Sequence, residues 1–140
     1  MKKQYKAKVS YTIILIVFVF FAPFIQKIQV LNLTSKMLVT IGLFLLLFGF
    51  ILFLLFTTRY TIDKNKLIIR VGFYSYKPID ISTIKEISKT RSIMASPAPS
   101  LDRILIKYGD FDEIIISPEN KFDFADNLTK INPNIKNNIM

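Results

Sequence analysis

Met37 to Phe56, MLVTIGLFLLLFGFILFLLF, runs for twenty residues without a charge or a proline. As a helix rising about 1.5 Å per residue it is roughly 30 Å long, the thickness of the hydrocarbon core of a bilayer. Thr40, Gly42 and Gly49 are its only interruptions of apolar side chains. A soluble helix this apolar on every face needs a core that covers all of it, and the rest of a 140-residue chain is too small to supply one. The stretch predicts a membrane-spanning helix.

A second apolar run, Val9 to Ile25, follows Lys2, Lys3, Lys6 and Lys8. It has the basic start and apolar middle of a secretory leader. Its length, and the bulky Phe20, Phe21 and Phe24 around Ala22-Pro23, argue for a retained span. Pro23 is placed to kink or end that helix. Gln26 to Lys36 is then a short connector, and two spans so joined form an antiparallel hairpin, with Gly42 and Gly49 on one face for close approach. Four lysines precede the first span, and Arg59, Lys64, Lys66 and Arg70 follow the second, against two lysines in the connector. The expected location is the cell membrane, multi-pass, with both termini cytoplasmic.

The net charge of +9 invites a nucleic-acid reading until it is located. From Thr57 onward there are 13 Lys+Arg against 10 Asp+Glu, so most of the excess flanks the apolar runs, where topology accounts for it. No dense basic cluster with stacking aromatics is visible, and no nucleic-acid partner is expected. The absence of cysteine excludes disulfides and thiolate metal sites, and the absence of histidine removes the commonest base and zinc ligand. The four glycines are scattered and build no phosphate cradle. No catalytic, cofactor or metal residues are expected.

After Phe56 the pattern turns to short β-compatible segments: Tyr60 to Asp63, Lys66 to Val71, Tyr76 to Ile81, Ile84 to Thr90, Arg103 to Tyr108 and Glu113 to Ser117. Ser117-Pro118-Glu119 reads as a helix start. Phe122, Ala125 and Leu128 form an apolar stripe, with Phe124 and Ile131 beside it, and Asn132-Pro133 is the stop. The expected organisation is a two-helix transmembrane hairpin over 1–57 and a cytoplasmic domain over 58–140. The fold class is a membrane α-hairpin plus α+β. Its domain is an antiparallel β-barrel of about six to seven strands capped by a C-terminal helix.

The start TRYTIDKNKLIIRVGF and the run from Ser96 to Ile135 carry a resemblance. The run combines a serine/proline loop, Ser-Leu-Asp-Arg-Ile opening a strand, Ile-Ser-Pro closing the next, then a Phe-bearing helix and Asn-Pro. It resembles small bacterial two-span membrane proteins with a pleckstrin-homology-like (PH-like) domain. The resemblance implies that fold, and some relatives with this layout are associated with immunity to membrane-active bacteriocins. It brings no catalytic residues.

Arg91 to Ser100, RSIMASPAPS, is the longest aperiodic stretch of the domain, and Pro97 and Pro99 bar it from a central strand. Ile93, Met94, Ser96, Pro97, Pro99 and Ser100 are the candidate interaction loop; the competing expectation is that they pack into the barrel mouth. Asp102 and Arg103 point to opposite sides of a strand and are the candidate structural anchors. Lys64, Lys66, Arg70, Lys85, Lys89 and Arg91, with acids interspersed, read as a solvated mixed-charge face, the alternative being a patch for anionic lipid headgroups. The expected partners are the lipid bilayer and an unknown protein or lipid, bound by a non-enzymatic module. The alternative is a small membrane-bound enzyme using the acidic residues of the 109–113 turn, Asp110, Asp112 and Glu113.

Overall fold

The computed structural model describes residues 2–30, 35–92, 94 and 96–139, the side chains of 24–30 and 35–37 excepted. Two long helices make up most of the first 57 residues, α1 (Tyr11–Val30) and α2 (Ser35–Thr57). Helix α1 continues through Pro23, so Gln26 to Val30 is helical rather than connector, and only 31–34 between the helices lie outside the described residues. Among the described residues α2 holds the one segment long and apolar enough to cross a membrane, Leu38–Thr57, at mean hydropathy 3.0 and with none of it buried. The helices meet through aromatic rings. Phe21, buried, sets its ring edge-on to Phe44 at 4.3 Å and to Phe48 at 5.8 Å. Gly42 and Gly49 are not part of that contact, since a Cβ at either would meet nothing within 4 Å.

A strand precedes both helices. β1 (Lys2–Lys6) pairs antiparallel with β2 (Arg59–Asp63), which follows α2 after the single residue Thr58. Ala7 N–H donates to the Thr58 carbonyl at 3.2 Å, so the chain enters α1 and leaves α2 at one place. β2 turns at Lys64-Asn65 into β3 (Lys66–Val71), with Lys64 at φ 53°. β3 also pairs with the short β4 (Tyr74–Ser75) and β5 (Ile79–Asp80), which completes a five-stranded sheet.

The second sheet has the order β8-β7-β6-β9: β6 (Ile84–Thr90), β7 (Arg103–Tyr108), β8 (Asp112–Ile116) and β9 (Lys136–Asn138). β9 runs parallel to β6, an exception to the all-antiparallel expectation. The strands form two sheets rather than one closed barrel. One isolated bridge, Ala7 to Pro118, links their neighbouring edges among the described residues. Alternating apolar residues of both sheets, including Tyr60, Leu67, Ile69, Ile87, Ile104 and Ile106, are fully buried between them.

Helix α3 (Lys121–Ile131) covers this core with Phe124, Ala125 and Leu128, while Phe122 and Ile131 stay exposed, so the buried stripe is centred differently from the expected one. Its N-cap is Asn120, whose side chain accepts from Asp123 N–H, and not Ser117. Asn132 caps the other end from a buried position, donating to the Ile81 carbonyl at 3.0 Å and accepting from Asn134 N–H at 3.1 Å.

Candidate functional site

Strand direction divides the domain into two ends. Arg59, Val71, Thr90, Arg103 and Ser117 lie at the end where the helices attach, and the 64–65 and 109–111 turns lie at the opposite end. The 91–100 loop joins β6 to β7 and is therefore at the helix end.

Arg103 sits at the centre of that loop, only 8 % exposed. Its guanidinium donates through Nε to the Ser100 carbonyl at 2.6 Å. Nη1 donates to Ser92 and Met94 carbonyls at 2.9 and 3.1 Å, and Nη2 to Ala98 at 3.2 Å. A planar fork of fixed donors can hold several carbonyls of a curved backbone at once, which a lysine cannot. Tyr60 secures the loop from the core side, donating to the Pro97 carbonyl at 2.5 Å and accepting from Ser117 N–H at 3.2 Å. Burial pushes its phenol up to about 12. Ser10 N–H donates to the Pro99 carbonyl at 3.1 Å, tying the loop to the foot of α1.

The loop therefore has two halves. Pro97, Ala98, Pro99 and Ser100 are buried, and the Ser96 hydroxyl is buried with no hydrogen-bond partner. Met94 is 63 % exposed, and Ile93 lies outside the described residues. A cavity of about 240 Å³ separates the buried half from the helices, with Ile13, Leu54 and Leu55 on one side and Pro97 and Pro99 on the other. Asp102 faces away from Arg103. It accepts from Lys8 Nζ at 2.9 Å and from Lys121 Nζ, and these two cations, Lys121 first, hold its carboxyl below the ordinary 3.8. Asp102 thus joins the start of the chain to the start of α3.

Asp110, Asp112 and Glu113 are elsewhere. They occupy the exposed β7–β8 tip at the far end, beside a fully exposed Phe111, and Asp110 pairs with Lys85 at 3.7 Å. Among the described residues no group of three or more acidic side chains is arranged to hold a metal ion.

At the helix end of the first sheet, register brings together residues that the sequence keeps apart. Lys6 stands opposite Arg59, and Arg59 opposite Arg70. Next to this row the β3–β4 turn leans on α2. Gly72, at φ +56°, lies so close that a Cβ there would meet Leu54 Cδ2 at 2.6 Å, and the Phe73 ring packs at 5.1 Å on Phe53. Sequence reading missed this cluster, because cross-strand pairing rather than spacing creates it.

Two sheets enclosing one core, with a C-terminal helix across it, define a PH-like domain. The family model described as Bacterial PH domain matches residues 58–132, and the chain belongs to that family. The matched span begins at Thr58 and ends at Asn132, leaving β1 and β9 outside it. Comparison with curated proteins and with solved structures returns no match.

Proposed function

We propose that the protein is a membrane-anchored, non-enzymatic binding module. In this reading α1 and α2 form a two-span hairpin with both termini cytoplasmic. The PH-like domain binds a lipid or protein partner at the inner surface. The observation that carries it is the Ala7 to Thr58 contact, taken with the uncovered apolar surface of α2. Strands β1 and β2 are hydrogen-bonded neighbours, so the chain between them leaves and returns on one side of any bilayer. The number of crossings between residues 7 and 58 is then even, and if α2 crosses, α1 crosses too. The lysines ahead of α1 and the basic residues after α2 favour the cytoplasmic side for that shared end.

The non-enzymatic part rests on where the carboxylates are. The acidic residues of the 109–113 turn are solvated at the far tip rather than gathered in a closed cleft. The physiological role we attach to the module, on the strength of the resemblance alone, is self-protection against a membrane-active bacteriocin.

The chain has no cysteine, so single cysteines report topology cleanly. With Asn32→Cys, a membrane-impermeant maleimide added to intact cells should label the protein. With Ser75→Cys it should label only after permeabilisation. Labelling of both positions from the same side would overturn the two-span reading.

A further inference from the structure

Lys6, Arg59 and Arg70 form one row across β1, β2 and β3. Directly opposed residues of an antiparallel pair share a face, about 5 Å apart. The neighbouring row, Tyr5, Tyr60 and Ile69, is buried, so the three cations face outward. Like charges directly opposite each other destabilise a sheet unless an anion lies between them. Among the described residues, no ion pair involves any of the three. The lysines of the other ion pairs are matched: Lys3 to Asp123, Lys8 and Lys121 to Asp102, Lys85 to Asp110, Lys107 to Glu86. The opposite end of the same face makes the contrast sharper. There the row runs Lys2, Asp63, Lys66, Asp80, alternating in sign at every step. The sheet is neutralised where it is far from the helices and left uniformly positive where it meets them.

The level of this row is set by α2. Arg59 is two residues past the last helical residue, Thr57. Phe73 is 88 % exposed and stacks on Phe53, one turn, or about 6 Å, inside that end of the helix. If α2 spans the bilayer, an aromatic ring held there lies at the boundary between acyl chains and headgroups, with the cation row just outside it.

We propose that the Lys6–Arg59–Arg70 row is a binding site for the phosphate groups of anionic phospholipid, with Phe73 seated in the bilayer interface beside it. This deepens the proposed function and rests on the membrane reading given there. The lipid phosphate is the counter-anion that the row lacks, and the two-dimensional supply of headgroups at that level delivers it without a soluble ligand.

The chain has no tryptophan, so Phe73→Trp makes a single reporter in the full-length protein. Reconstituted with brominated phospholipids, its fluorescence should be quenched at least about fivefold more readily by phosphatidylglycerol than by phosphatidylcholine, the equivalent of one basic residue at the surface. Adding Lys6→Gln, Arg59→Gln and Arg70→Gln should abolish the preference while leaving the melting temperature equal or higher, since repulsion is relieved. Removing the same charge at the far end (Lys2→Gln, Lys64→Gln, Lys66→Gln) should leave it intact. Equal quenching by both lipids, or equal loss in both triple variants, would overturn the site. Displacement by millimolar inorganic phosphate would show a free-phosphate site and overturn the lipid assignment. Leu46→Trp tests the reading beneath: quenching by lipids brominated deep in the chains is expected. If Leu46→Trp is unquenched, the membrane reading itself fails. If it is quenched and Phe73→Trp is not, only the present proposal fails.

Discussion

Arg103 shows how one side chain settles the conformation of a long loop. The described residues between Arg91 and Ser100 lack a strand partner, and their carbonyls would be stranded wherever they turn inward. Four of the acceptors at or beside that turn, in Ser92, Met94, Ala98 and Ser100, converge on one buried guanidinium. Arg103→Lys keeps the charge but can serve only part of this set. The expected cost is about 2–4 kcal/mol, from lost charge-assisted bonds and carbonyls left unsatisfied. Denaturation in mild detergent would measure it, together with faster proteolysis inside 91–100. Unchanged melting and unchanged protection would show that the loop holds itself. In the sequence the two prolines mark the loop and the Asp102-Arg103 pair marks its neighbour. Nothing there says that the arginine turns inward while the aspartate reaches outward to Lys8 and Lys121.

Among the elements, those with a strong period were legible. β3, β7 and α3 follow the alternation or helical spacing of their apolar residues, and the turn at Lys64-Asn65 fills the gap between two β-compatible segments. β1 was not legible, because KKQYK reads as a basic leader. Its one buried residue, Tyr5, is flanked by lysines of the kind that protect an edge strand. β9 is short and asparagine-rich, and its place is set by Ile135 and Ile139 on either side, both buried. The division into two sheets, and the cation row, depend on pairings between distant segments that no local pattern encodes.

β1 is fastened to α3 as well as to β2. The Tyr5 hydroxyl donates to Asp123 Oδ2 at 2.9 Å and accepts from Asn127 Nδ2 at 2.8 Å, and Lys3 reaches the same carboxylate at 2.7 Å. Lys3, then Tyr5, hold the Asp123 carboxyl below the ordinary 3.8, as Lys121 and Lys8 do for Asp102. Such groups bind protons less readily folded than unfolded. Their contribution is present above the ordinary aspartate range and is lost as pH falls through the lowered folded values. Melting temperature should therefore drop on acidification below about pH 4, with a shallower slope in Asp123→Asn. An identical slope in that variant would exclude the carboxylate as the fastening.

For the molecule as a whole, the helices are an insertion into the turn of a β-hairpin. Lys6 and Arg59 are opposed partners, and Ala7 and Thr58 occupy the two positions of the turn between them. Replacing residues 7–58 by Asn-Gly, which favours a tight two-residue turn, should give a soluble, cooperatively folding domain. A fragment beginning at Thr58 should melt at lower temperature and aggregate through the bare edge of β2. Comparable melting of the two would mean that β1 contributes little. The seating of β1 also has a consequence for synthesis. Its contacts reach Asn127, 122 residues further along. At about 5–20 residues per second, roughly 6–24 s pass between the appearance of Tyr5 and that of its last partner. β1 therefore cannot complete its contacts until both helices and most of the domain have been made.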